Sequence, residues 1–204
     1  LTTPGGRPAT RSAWLDLRAE RNLMREGYEF LDEKRMIIAA EMQRQLRAWQ
    51  EAMAACGEGE RAARNALALA AARHGLEGLT VHPTLHLDTW EPDVASRRYL
   101  GVELLDAGPV TASTRRPEPA ALPSTEADEC QRSFLALLEP AVELALRLTN
   151  LRRLIAEYVR TERRARALEN VLLPDIERSL HAMEDQLEAV DREESLRVRY
   201  AGRG

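Results

Sequence analysis

Residues 12–53 read SAWLDLRAERNLMREGYEFLDEKRMIIAAEMQRQLRAWQEAM, and the spacing of their large apolar side chains decides the fold. Trp14, Leu17, Met24, Tyr28, Leu31, Ile38, Met42, Trp49 and Met53 recur in three- and four-residue steps, the seam of a coiled coil. A second row, Leu23, Phe30 and Ile37, lies beside the seam and widens the apolar stripe until it can meet more than one neighbour. Charged residues occupy the remaining faces.

Working outward, the chain has no proline between Pro8 and Pro83, so this helix is expected to run unbroken to Cys56. There Gly57 and Gly59 each weaken it by about 1 kcal/mol relative to alanine, which predicts a bend or short break. The alanine-rich stretch from Glu60 to Arg73 is helical again, and His74 with Gly75 resembles a helix stop, the glycine supplying a left-handed cap. The first long helix is therefore expected over 12–75, after an unstructured segment at 1–11.

Between 76 and 124 the helical rhythm is lost and prolines 83, 92, 109, 117, 119 and 123 appear. Alternation predicts short strands over Leu79–Thr89 and Arg98–Leu105, forming a hairpin or irregular knob, followed by a linker from Ala112 to Pro123. Ser124 or Thr125, followed by acidic residues at 126, 128 and 129, makes a helix start by capping and by charge at the positive end of the dipole. A second long helix is then expected over 125–199, with its seam at Phe134, Leu138, Ala141, Ala145, Leu148, Leu151, Ile155, Tyr158, Ala165, Leu168, Leu172, Ile176, Leu180, Met183, Leu187 and Val190. Pro140 and Pro174 each remove an amide donor and crowd the preceding turn, so both predict bends. Residues 200–204 form an unstructured tail.

At 1.5 Å per residue the second helix is roughly 110 Å long and residues 12–55 span roughly 65 Å, too long for a compact globule. The expected fold is all-α: a long antiparallel two-helix coiled coil formed by the N- and C-terminal helices, with a small β-hairpin or irregular knob in the middle. Composition agrees, because charged residues are 30% and aromatics only 4% of the 204, which suits a thin extended core. A net charge of −4 argues against nucleic acid as the main partner. No stretch reaches the roughly 20 apolar residues that cross a bilayer, so no direct membrane insertion is expected. The opening residues lack the apolar core of a signal peptide, and two cysteines, Cys56 and Cys130, are too few for a secreted disulfide framework; both points favour the cytoplasm. A single bridge between the two remains open.

No catalytic, cofactor-binding or metal site is expected. His74, His82 and His86 have no carboxylate or thiolate completing a ligand set at recognisable spacing. Gly57-Glu58-Gly59 lacks the Gly-Lys-Ser/Thr that follows in a phosphate loop, and neither cysteine has a His–Asp companion pattern. The concentrated basic stretch of Arg147, Arg152, Arg153, Arg160, Arg163, Arg164 and Arg166, interleaved with Glu157 and Glu162, reads either as a solvated face of paired charges or as a charged bearing surface.

Several blocks resemble the D subunit of rotary V/A-type ATPases, the central shaft that turns inside a catalytic hexamer. Pro8-Ala9-Thr10-Arg11 with Leu15 and Leu17 looks like the opening of that family. Gly27 through Arg35 looks like its glycine, aliphatic and Lys-Arg stretch, and Arg98-Tyr99-Leu100-Gly101-Val102 is similar to its Gly-Val hairpin segment. The strongest likeness is Arg163-Arg164-Ala165-Arg166-Ala167-Leu168-Glu169-Asn170-Val171-Leu172-Leu173-Pro174, although Arg166 stands where asparagine is usual, as does Asp32 where lysine is usual.

The resemblance implies a non-catalytic rotor subunit that transmits torque, binds no nucleotide and requires no cofactor. Its implied partners are the A and B subunits of the hexamer, a small F subunit, and a funnel-shaped subunit linking to the membrane ring. It also implies a location in the soluble sector, peripheral to the membrane. Arg11, Lys34, Arg35, Arg163, Arg164, Arg166, Glu169 and Pro174, within the matching blocks, are the candidate partner contacts. The alternative is a non-rotary coiled-coil scaffold or adaptor. A lipid-surface helix fits poorly, since both helices carry mixed charge.

Overall fold

The computed structural model describes residues 10–82, 91–108 and 123–202. The element order is helix α1 (Arg11–Leu79), strands β1 (Val94–Tyr99) and β2 (Val102–Ala107), helix α2 (Thr125–Ala167), a π-helical turn (Leu168–Leu172) and helix α3 (Leu173–Ala201). Two long helical arms around a two-stranded antiparallel sheet are the expected fold. The chain divides into two compact units, one of Leu1–Ile37 with Tyr158–Gly204 and the other of Ile38–Glu157.

In the first unit the start of α1 runs antiparallel to α3. Arg11 pairs with Asp191 at 3.3 Å, the Trp14 indole donates to Glu184 at 3.1 Å, and Arg25 lies 3.8 Å from Glu177. Beneath these polar contacts Leu17, Ile176, Leu180 and Met183 form the buried core, with Ala13, Trp14 and Met24 packed against it. Apolar side chains at three- and four-residue spacing bury one stripe of each helix and leave the charged faces to water.

The second unit repeats the antiparallel arrangement with a thinner seam. Gln45 meets Arg147 at 3.4 Å, Arg73 meets Glu126 at 3.4 Å, and His74 Nε2 lies 2.7 Å from the Ser124 hydroxyl. Much of the buried surface of α1 here is alanine, at positions 52, 63, 66 and 70, so the helices approach closely.

Several local expectations change. The dihedrals of α1 stay helical through Gly57 and Gly59 and leave the helical region only at Gly75, with φ 69°. Gly59 serves close approach: a Cβ there would stand 3.1 Å from Leu137 Cδ1 on α2, so the glycine read as a weak point is a packing position. The expected strand over 98–105 is two strands, with Leu100 (φ 49°) and Gly101 (φ 88°) as a two-residue turn between them. Positive φ at both central positions is the turn whose twist matches a hairpin. Of the run from Leu79 to Thr89, Leu79 ends α1 and Thr80–His82 form a turn, while 83–90 lie outside the described residues, as do 112–122 of the expected linker.

Ser124 caps α2 as expected, its hydroxyl accepting the Ala127 amide at 3.3 Å. The helix continues through Pro140. At Pro174 the disturbance is absorbed one turn earlier: Leu173 N–H reaches back five residues to the Leu168 carbonyl, widening the turn ahead of the proline ring.

The expected seam of α2 is out of phase at its centre. The buried positions are Leu146, Asn150, Leu154 and Thr161, whereas Leu148 and Ile155 are exposed; at Ala165 the expected row is buried again. Two buried positions carry polar side chains, so counting apolar residues selects the wrong row.

Candidate interaction surfaces

The expected contact residues lie in the first unit and are mostly at its surface. Arg11 is largely exposed and held by Asp191. Lys34 and Arg35 are half-buried, and Arg35 is anchored by Asp32 one turn back. Arg166 pairs with Glu162 at 2.6 Å. Arg163 and Arg164 are exposed and carry no ion pair among the described residues. Pro174 occupies the first turn of α3.

Glu169, exposed on the π turn, faces Tyr28 of α1. Its carboxylate, together with partial burial and the charge of Asp32, holds the Tyr28 phenol above its ordinary pKa, with Arg35 acting in the opposite sense. Deprotonating Tyr28 would set two negative charges side by side, so the neutral phenol is the form that fits here.

The first unit also leaves apolar surface uncovered. Leu23, Phe30 and Ile37 are 69%, 63% and 37% exposed. They recur every seventh residue on one flank of α1, beside Glu26 and Glu33. Val171 and Leu172 are exposed on the π turn.

The basic stretch does not act as one surface. In the second unit Arg147 is drawn inward, bonded to Glu143 at 2.6 Å and 3.5 Å from Asp106, while Arg153 donates to the Glu103 carbonyl at 2.7 Å. Arg160, in the first unit, is engaged. Only part of the run is left to face a partner.

The sequence reading missed the cluster that seats the hairpin in the second unit. The Glu41 side chain is fully buried and receives Arg97 of β1 at 3.4 Å, Gln45 at 2.8 Å and Arg44 from the next turn. Arg97 also pairs with Asp106 on β2 at 3.0 Å. Asn150, wholly buried, takes the Leu105 N–H at 2.8 Å and donates to the Leu105 carbonyl at 2.7 Å, standing in for a neighbouring strand. Val102 and Leu104 fill the apolar space beneath. The available signal was polar residues at seam spacing: Glu41 and Gln45 three and seven residues after Ile38, and Asn150 midway between Leu146 and Leu154.

The one serine–histidine contact described above, the Ser124 hydroxyl with His74 Nε2 at 2.7 Å, sits in the cap of α2, where the same hydroxyl accepts the Ala127 amide. His74 and His82 meet edge to face with ring centroids 5.0 Å apart, and His86 lies outside the described residues. Among the described residues no three His, Cys, Asp or Glu side chains gather as a metal requires. Cys56 and Cys130 are free and half-buried, the Cys130 thiol pushed up by burial. No helix of the described residues is long and apolar enough to cross a membrane.

Residues 13–203 match the family model for the D subunit of ATP synthase. Among curated proteins, the chain is 29% identical over 195 residues to the V-type ATP synthase D subunit of Anaeromyxobacter sp. (strain Fw109-5), covering 94% of this chain and 91% of the relative. It is 30% identical over 193 residues to the protein of that name from Anaeromyxobacter dehalogenans, covering 93% and 92%. The A-type ATP synthase D subunit of Archaeoglobus fulgidus is 27% identical over 197 residues, covering 93% of each.

Proposed function

Since the chain belongs to the family of ATP synthase D subunits, we propose that it is the non-catalytic central shaft of a V/A-type ATPase, carrying torque between the catalytic A/B hexamer and the membrane ion-translocating ring. The observation that carries this reading is the family match over nearly the whole chain, borne on antiparallel pairs of long helices. Packed helix pairs suit torque, because twisting one helix strains every contact with its neighbour. The uncovered Leu23, Phe30 and Ile37 row, with Arg163 and Arg164 unpaired among the described residues, supplies asymmetric surface. Such a surface can favour a different state at each surrounding catalytic site as it turns.

The proposed partners are the A and B subunits, the F subunit and the funnel-shaped subunit that joins the membrane ring. The shaft lies in the soluble sector on the cytoplasmic side and enters no bilayer. Arg163 and Arg164 are the proposed bearing residues, facing acidic loops of the hexamer, with Arg11, Lys34, Arg35, Arg166, Glu169 and Pro174 as further contacts.

Co-purification of the tagged full chain tests the assignment. Recovery of A and B subunits is the expected result, whereas self-association alone would favour a scaffold. Within a recovered complex, charge reversal at Arg163 and Arg164 is expected to uncouple ATP hydrolysis from rotation; unchanged coupling would remove them as bearing residues.

A further inference from the structure

The two edges of the hairpin are treated differently. The Leu100-Gly101 turn makes Tyr99 and Val102 a hydrogen-bonded pair, followed by Arg97 with Leu104 and Ala95 with Asp106. The alternate residues therefore aim their N–H and C=O groups away from the ladder. On β2 that outer edge is met in its middle by α2: Asn150 takes both groups of Leu105, and Arg153 takes the Glu103 carbonyl. On β1 the corresponding groups of Val94, Ser96 and Arg98 have no partner among the described residues, and all three residues are exposed.

A bare edge is a template for another strand, and proteins usually guard it with outward charge, proline or a bulge. Here Arg97 turns inward to Glu41 and Asp106, so it guards nothing. Arg98 remains, exposed and without an ion pair among the described residues, while Glu103 opposite it is engaged by Arg153 at 3.7 Å. The edge thus offers a row of backbone donors and acceptors beside the exposed Arg98 side chain, which closes no ion pair among the described residues.

We infer that β1 is a docking edge for an extended segment of a companion subunit, which adds a third strand along Val94, Ser96 and Arg98 and sets an Asp or Glu against Arg98. This rests on the reading of the chain as a subunit of the ATPase complex. Backbone pairing supplies the attraction and the Arg98 charge selects the partner. Because Glu41, Asn150 and Arg153 seat the hairpin on both helices of its unit, a strand gripping β1 would be held by the helix pair and not by a loose loop.

Residue-resolved amide exchange on the wild-type chain, alone and in the reconstituted complex, reads the edge directly. The Ser96 and Arg98 amides are expected to slow by about tenfold or more on assembly, while those of Ala95, Arg97 and Tyr99 are protected in both states. Ser96→Pro removes an outward N–H and spares the ladder, so it should leave folding intact and weaken incorporation by about tenfold. Ser96→Ala should behave as wild type, and Arg98→Glu should weaken incorporation.

Unchanged exchange at Ser96 and Arg98, wild-type incorporation of Ser96→Pro, or an equal defect in Ser96→Ala would each overturn the inference. Should Ser96→Pro fail to fold, the wild-type exchange pattern decides. A wild-type chain that recruits no companion subunit would overturn the shaft assignment and this inference together; a complex that forms with a bare β1 edge would overturn the edge alone.

Discussion

Asn150 is the residue on which the hairpin's seating turns. Its carboxamide presents an acceptor and an N–H donor side by side, as a peptide unit does, and it directs one of each to Leu105. Replacement by leucine keeps the branched shape but leaves a strand N–H and C=O facing an apolar side chain. Asn150→Leu is therefore expected to destabilise the chain by about 1–3 kcal/mol in urea unfolding, with faster exchange of the Leu105 amide. A neutral result would mean that water reaches the Leu105 groups and the clamp is dispensable. Asn150 illustrates what single-sequence reading overlooks: an asparagine off the row of Leu148, Leu151 and Ile155 reads as a surface residue until the strand it serves is in view. The same holds in part for Glu41, whose burial is matched by Arg97, distant in sequence, as well as by Gln45 and Arg44 of its own helix.

Among the elements, α1 shows how one residue type carries opposite meanings. Gly57 has nothing within 4 Å of where a Cβ would stand, so Gly57→Ala is expected to stabilise the helix by about 0.5–1 kcal/mol. At Gly59 the same propensity gain is set against a 3.1 Å contact with Leu137, so Gly59→Ala should gain less. Thermal unfolding of the two variants compares them, and equal gains would show that α2 is not closely seated there. The π turn carries a related lesson. Pro174 marks a disturbance that the sequence makes visible, but its form, a widened turn at Leu168–Leu172 that presents Glu169 to Tyr28, depends on how the two helices meet.

For the whole molecule, the uncovered row on α1 separates stability from assembly. Phe30 is mostly in water, so its truncation removes little that holds the chain together. Phe30→Ala is expected to change unfolding stability by no more than about 0.5 kcal/mol while reducing incorporation into the ATPase complex. Intact incorporation would show that this row faces solvent in the assembly as well. The heptad rhythm, Ser124 and the proline-rich middle were sufficient to specify two long helical arms and an interruption, since helix periodicity and capping are local properties of the chain. The Arg163 to Pro174 block made the family recognisable. Which row of α2 is buried, where the hairpin turns, and which charges are drawn inward were decided only by tertiary structure. Each of those depends on groups far apart in sequence, and a buried polar side chain is paired or orphaned only once its distant partner has arrived.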